Sequence, residues 1–118
     1  MKENQYSSWI MNLNSLSKGG SYVLTGKQRS HLKSLANNLD PLFQIGKNGI
    51  TENFIKQVDE ALENRELVKI NVLKNCFEDP KAISENLVEE LNAEFVQSIG
   101  RKIVIYRESE ENKEIVLP

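Results

Sequence analysis

Apolar residues recur at intervals of three and four in three stretches of the chain, and they alternate or cluster over a few residues in four others. The first helical stripe is Leu32, Leu35, Ala36 and Leu39, in a helix that begins after Thr25 and runs to about Asn38. Thr25 and Gln28 stand three apart, the spacing of a capping box, and Asp40-Pro41 stops the helix because proline disfavours helical geometry in the residue before it. Leu42 to Ile45 reads as a short strand ending in Gly46-Lys47-Asn48-Gly49. A second helix is predicted from the N-cap Thr51 to near Asn64, with Phe54, Ile55, Val58, Ala61 and Leu62 on its buried face. Leu67 to Leu73 then alternates, placing Val68, Ile70 and Val72 on one side and Lys69 and Asn71 on the other. Asp79-Pro80 offers a cap and an N1 proline for a third helix, with stripe Ile83, Leu87, Val88 and Leu91 and an acidic far side. Phe95 to Ile99 and Lys102 to Tyr106 form an antiparallel hairpin around Gly100-Arg101.

The element order is therefore α-β-α-β-α-β-β. Strands separated by helices favour parallel pairing through right-handed crossovers, and the hairpin adds an antiparallel pair. The expected fold is α/β, a two-layer sandwich with a four-stranded mixed sheet and about three helices. No segment repeats. Residues 1–23 read as a flexible extension: Ser17-Lys18-Gly19-Gly20-Ser21 is a joint, and Trp9, Ile10, Leu13 and Leu16 make at most a short amphipathic turn. The folded domain spans 24–107, and 108–118 is an acidic tail without periodicity.

Composition narrows the chemistry. With 118 residues, 39% of them hydrophobic, the chain suits one globular domain that folds without staples. A single cysteine, Cys76, and a single histidine, His31, exclude an internal disulfide and a Cys/His zinc site, and they leave little for nucleophilic catalysis. No enzyme activity, metal or cofactor is expected. No stretch approaches the roughly 20 apolar residues of a membrane span, so a cytoplasmic protein without membrane contact is expected.

The net charge of −2, from 15 Lys+Arg and 17 Asp+Glu, hides an asymmetry. Between Thr25 and Lys56, Lys27, Arg29, Lys33, Lys47 and Lys56 face only Asp40 and Glu52, whereas Glu108, Glu110, Glu111 and Glu114 crowd the tail.

The sharpest local motif is Gly46-Lys47-Asn48-Gly49, set between a strand and a helix N-terminus. Glycines allow close approach of the backbone to a ligand, and the amides and dipole of the following helix favour an anion such as phosphate. Alone, the spacing also fits a plain strand-to-helix turn. Neither G-x-x-x-x-G-K-[ST] nor G-x-G-x-x-G is present, which leaves a loop that clamps a nucleic-acid backbone in the manner of a KH module. Lys27, Arg29 and Lys33 join Lys47, Lys56 and the hairpin pair Arg101-Lys102 as a candidate basic track for backbone contacts. Phe43, Phe54, Phe95 and Tyr106 sit in apolar runs and read as core, as does Cys76. Glu89-Glu90 reads as a solvated face and His31 as an exposed helix residue.

Taken in order, Leu24-Thr25-Gly26-Lys27-Gln28-Arg29, Ile45 to Thr51 around the glycine loop, Leu67-Val68-Lys69-Ile70 and Ile99 to Arg107 resemble the YhbY family of bacterial CRM-domain proteins over residues 24–107. The resemblance implies an RNA-binding domain whose fold is similar to the C-terminal domain of bacterial translation initiation factor three. Plant relatives take part in group II intron splicing, and stand-alone bacterial members associate with precursors of the large ribosomal subunit. Position by position, it implies an RNA-contacting loop of Gly46, Lys47, Asn48 and Gly49, a basic first helix with Lys27, Arg29 and Lys33, and a basic hairpin at Arg101 and Lys102. The expected partners are large-subunit ribosomal RNA and the pre-large subunit. The rival expectation is a protein-binding module that docks on a ribosomal or translation factor through the acidic third helix or the tail.

Overall fold

The computed structural model describes residues 24–118. The sequence-predicted N-terminal extension, its Trp9 to Leu16 turn and its Gly-Ser joint lie outside the described residues. Three helices, α1 (Gly26–Ala36), α2 (Glu52–Arg65) and α3 (Pro80–Leu91), alternate with β1 (Phe43–Ile45), β2 (Leu67–Val72), β3 (Glu94–Ile99) and β4 (Lys102–Tyr106) in the predicted order. The strands form one sheet in the order β1-β2-β4-β3, with β1 and β2 parallel and the other two pairings antiparallel. β2 pairs with the far arm of the hairpin, so the two outer strands are β1 and β3.

Local chemistry sets the ends of the elements. Thr25 and Gln28 form the full capping box, each side chain satisfying the other's backbone N–H at 3.0 Å. The Thr51 hydroxyl accepts the Phe54 N–H at 3.1 Å and caps α2. Asp79 occupies the N-cap of α3 ahead of the N1 proline, but its side chain makes no capping hydrogen bond. α1 stops at Ala36, two residues before the expected end, with Asn37 as its C-cap. α3 ends on Asn92 in the left-handed conformation, which a short amide side chain tolerates.

The class, strand number and element order follow the sequence reading, but helices cover the sheet on both faces, not one. On one face α2 and α3 bury Val68, Ile70 and Val72 of β2 with Ile103 and Ile105 of β4. On the other, Leu32 and Ala36 of α1 pack against Leu67, Val96, Val104 and Tyr106, with Ile115 and Leu117 of the C-terminal segment beside them. The reason lies in the strands. β4 is apolar at Ile103, Val104, Ile105 and Tyr106, all buried, so each of its faces needs cover. Each such side chain contributes about 1.5–3 kcal/mol when removed from water.

Residues 108–118 lack regular structure but are docked. Glu66, the C-cap of α2, is fully buried at φ 69°, and its carboxylate accepts the N–H groups of Ser109, Glu114 and Ile115 at 2.8–2.9 Å. Glu63 accepts the Ser109 hydroxyl and the Glu110 and Glu111 N–H groups. These bonds, from the Ser109 hydroxyl foremost, hold the Glu63 carboxyl below its ordinary pKa. The Gln28 amide reaches the Pro118 carbonyl at 3.2 Å, tying the end of the segment to α1.

Candidate nucleic-acid interface

The glycine loop leaves β1 at the end of the sheet and delivers the chain into α2. The Gly49 N–H donates to the Gly46 carbonyl at 3.0 Å, closing a tight turn with Lys47 and Asn48 exposed at its tip. Gly49 has φ +66°, a conformation that side chains strain to adopt, and the space beside its Cα is open. Gly46 differs: a Cβ there would touch Asn75 Oδ1 at 3.6 Å and Leu73 at 3.7 Å, ordinary contacts that the fold accommodates. Only Gly49 is required by the turn itself.

The start of α2 lies two residues beyond. Thr51 satisfies the Phe54 N–H, which leaves the Glu52 and Asn53 N–H groups at the positive end of the helix dipole without intrahelical partners. Glu52 places a carboxylate in that same first turn. The positive charge at this corner therefore comes from Lys47 on the loop side, while Glu52 offsets the helix dipole.

The hairpin turn meets the same end of the sheet, but its two basic residues differ in role. Arg101 is half-buried, its guanidinium donating to the Val72 carbonyl at 2.8 Å and the Leu73 carbonyl at 2.9 Å, while its own carbonyl accepts the Val72 N–H. It welds the hairpin turn to the end of β2. Lys102 is exposed.

The basic helix stands elsewhere. α1 lies on the sheet face opposite α2 and α3, toward the end where Leu67 pairs with Tyr106. The length of β2, about 17 Å, separates that end from the glycine loop. Lys27 and Lys33 are exposed, whereas Arg29 is half-buried and donates to the Phe95 carbonyl at 3.2 Å, beside the register shift between Phe95 and Gln97. Burial raises the pKa of the neighbouring Glu94, and the Arg29 charge partly offsets that rise. His31 is half-buried on the same helix.

Lys56, the remaining member of the expected track, lines a cleft of about 590 Å³ that runs from Asn48 and Gly49 of the loop to between α2 and α3, together with Glu52, Asp59, Glu78 and Glu90. Across it, Arg107 pairs with Asp59 at 2.7 Å and donates to the Leu91 carbonyl, locking the two helices. The sequence-predicted basic residues thus form a loop group with Lys47 and Lys102 and an α1 group with Lys27 and Lys33.

Several side chains are placed differently in space than the sequence suggests, the half-buried His31 among them. Phe95 is 38% exposed although it reads as core, because it faces out beyond the helices at the sheet edge. Leu35 and Leu39 are partly exposed because Leu35 sits in the last turn of α1 and Leu39 lies beyond its end, where both border an open cleft with Leu67 and Ile115. Phe77, which no apolar run singles out, is 94% exposed on the loop after β2. Among the described residues, no group of three or more His, Cys, Asp and Glu side chains is placed to hold a metal ion, and no helix is long and apolar enough to cross a membrane.

Comparison with known proteins supplies a family for this architecture. The model of the CRS1 / YhbY (CRM) domain matches residues 24–107. The chain is 53% identical over 96 residues to "Probable RNA-binding protein YqeI" of Bacillus subtilis (strain 168), covering 81% of this chain and 100% of that protein. It is 41% identical over 96 residues to an "RNA-binding protein" of Haemophilus influenzae, covering 81% of this chain and 96% of that one. Among solved structures, the solution structure of SAV1595 from Staphylococcus aureus superposes with a TM-score of 0.69 at 62% sequence identity, covering 81% of this chain and 100% of that chain. A family model spanning the whole sheet and all three helices, with relatives matched over nearly their full length, places this chain in the CRS1/YhbY family of CRM-domain proteins.

Proposed function

We infer that the protein binds structured RNA without catalysing a reaction, and that its RNA is large-subunit ribosomal RNA in an assembling precursor. The carrying observation is the glycine loop: a turn that requires glycine at position 49, exposes Lys47 and Asn48, and feeds a helix N-terminus. The names of the relatives, both RNA-binding proteins, support the class of ligand. In this reading the loop amides and Lys47 grip phosphates, Lys102 extends the contact across the hairpin, and Lys27 and Lys33 meet the backbone farther along. Arg29 and Arg101 hold the scaffold beneath it.

Placing carboxylates in the loop, Gly46→Asp with Gly49→Asp, tests the reading. RNA affinity is expected to collapse while circular dichroism stays native, and undiminished affinity would defeat it. Affinity for RNA should also fall with log salt at a slope near −0.7 to −0.9 per phosphate contact. In cells, crosslinking of the tagged protein should enrich large-subunit ribosomal RNA in precursor fractions.

The acidic cleft favours a second reading, in which α2 and α3 dock on a basic ribosomal or translation factor without RNA contact. Protein partners recovered without crosslinked RNA, with RNA affinity absent in the purified protein, would support it.

A further inference from the structure

On the α1 side of the sheet, α1 and the C-terminal segment cover only the half toward Leu67 and Tyr106. The other half carries one row of side chains across all four strands. Gln44 pairs with Asn71, Asn71 with Lys102, and Lys102 with Ile99, so the four share one face in the order β1-β2-β4-β3. Gln44 and Lys102 are exposed, Asn71 is partly so, and Ile99 is 66% exposed. This row adjoins the glycine loop directly: Gln44 stands two residues before Gly46, and Lys102 follows the welded Arg101 turn.

We propose that this row contacts the bases of an unpaired RNA segment whose backbone is held by the glycine loop. The proposal rests on the RNA-binding reading and narrows it to single-stranded or looped-out nucleotides. Three observations carry it. At about 4.8 Å per strand the row spans about 14 Å, the scale on which four-stranded sheets of other RNA-binding modules seat two or three bases. Gln44 and Asn71 each present an acceptor and donors, which match the polar edges of bases, and Ile99 supplies an apolar surface for a base face. Lys102 in the row, with Lys69 next to it on the same face and Lys47 in the adjoining loop, supplies positive charge, and the row holds no carboxylate; Glu94, on the same face, stands at the covered end beside Arg29.

The row also joins what the sequence places apart. It lies between the loop group and α1, so a strand of RNA leaving Lys47 crosses Lys102 and Lys69 before it meets Lys33. The Lys69 ammonium bonds the Leu39 carbonyl at 3.0 Å, at the chain segment just after α1, and marks the junction. Bases in a duplex have their Watson–Crick edges paired and their faces stacked and cannot lie flat on such a surface, so the row discriminates between paired and unpaired RNA.

The test uses the full chain with two probes: a labelled hairpin RNA carrying a loop of randomised sequence, and its stem alone as a blunt duplex. Gln44→Ala with Asn71→Ala is expected to weaken hairpin binding by about tenfold, within the range that individual base contacts support, and to leave duplex binding unchanged. Because the amides are uncharged, the salt slope for the hairpin should not move, whereas Lys102→Ala should flatten it by about 0.7. Thermal melting of each variant should match the unaltered protein. Equal affinity of the double variant for the hairpin, with Gly49→Asp still abolishing binding, overturns the base-contacting row and leaves the RNA-binding reading intact. Failure of the unaltered protein to bind either probe overturns both. Chemical crosslinks from Lys102 to Lys2 or Lys18 in the free chain would assign the row to the chain's own N-terminal segment and overturn the proposal as well.

Discussion

The two faces of the sheet are built from the same four strands and are covered to different extents. Toward α2 and α3, Val68, Ile70, Val72, Ile103 and Ile105 form an apolar surface that is covered and 1% exposed or less. Toward α1, buried apolar residues stop at the row of Lys69, Val104 and Gln97, and beyond it the row of Gln44, Asn71, Lys102 and the exposed Ile99 is left uncovered among the described residues. The change from covered to open follows the side chains. Where alternate strand positions are apolar on both sides the sheet acquires a helix on each, and where one side turns polar the helix ends and the strands are left open.

Mutations that act on one face and spare the other break this comparison most sharply. Ile103→Ala, at a fully buried position beneath α2 and α3, should cost about 2–5 kcal/mol in urea unfolding, while Lys102→Ala next to it should stay within about 0.5 kcal/mol. Similar losses at both would erase the distinction between the faces. On the α1 side, Glu66→Gln replaces a buried carboxylate that accepts three N–H groups and should cost about 1–3 kcal/mol, with proteolysis after Arg107 as a local readout. Retained protease resistance would show that the Glu63 bonds and the burial of Ile115 and Leu117 suffice to hold the segment.

Smaller effects sharpen the picture further. Gly49→Ala should destabilise by about 1–2 kcal/mol because a Cβ is strained at positive φ, whereas Gly46→Ala should be nearly silent in stability, a contrast that separates the turn's needs from the ligand's. The smallest effect is with pH. The folded-state pKa of Glu63 is depressed, so the stabilisation it lends the C-terminal segment is present above pH 4.5 and is lost as pH falls through its lower folded value. Glu94 is raised and has the opposite sign, gaining stability for the fold as pH falls toward 4.5. Protection of the Glu111 amide against exchange, relative to its unfolded rate at the same pH, should therefore fall in acid before that of Val104 does, and Glu63→Gln should remove this pH dependence.

Much of the fold is legible because local signals and long-range needs agree. The Thr25/Gln28 box, the Thr51 cap, the alternation of β2 and the Gly100 turn each name an element that the tertiary structure keeps. The placement of α1 was not legible, since Leu32 and Ala36 state that a helix is buried but not against which face. The site divides in the same way. The glycine loop is readable because its chemistry is contiguous in sequence. Arg101 and Arg29 look like ligand-binding charges in a linear reading, and only the fold reveals the carbonyls of Val72, Leu73 and Phe95 that engage them. The row of Gln44, Asn71, Lys102 and Ile99 joins residues from four strands by register alone, and no linear spacing announces it.

The attachment of the C-terminal segment has a consequence for how that part of the chain can change. Glu66 is fully buried, and all three bonds to its carboxylate come from main-chain N–H groups, which every residue but proline provides. Substitutions at Glu110, Glu111 or Glu114 alter the charge carried past α1 without touching the anchor. The segment is a place where charge can drift from one lineage to another while the protein keeps its shape.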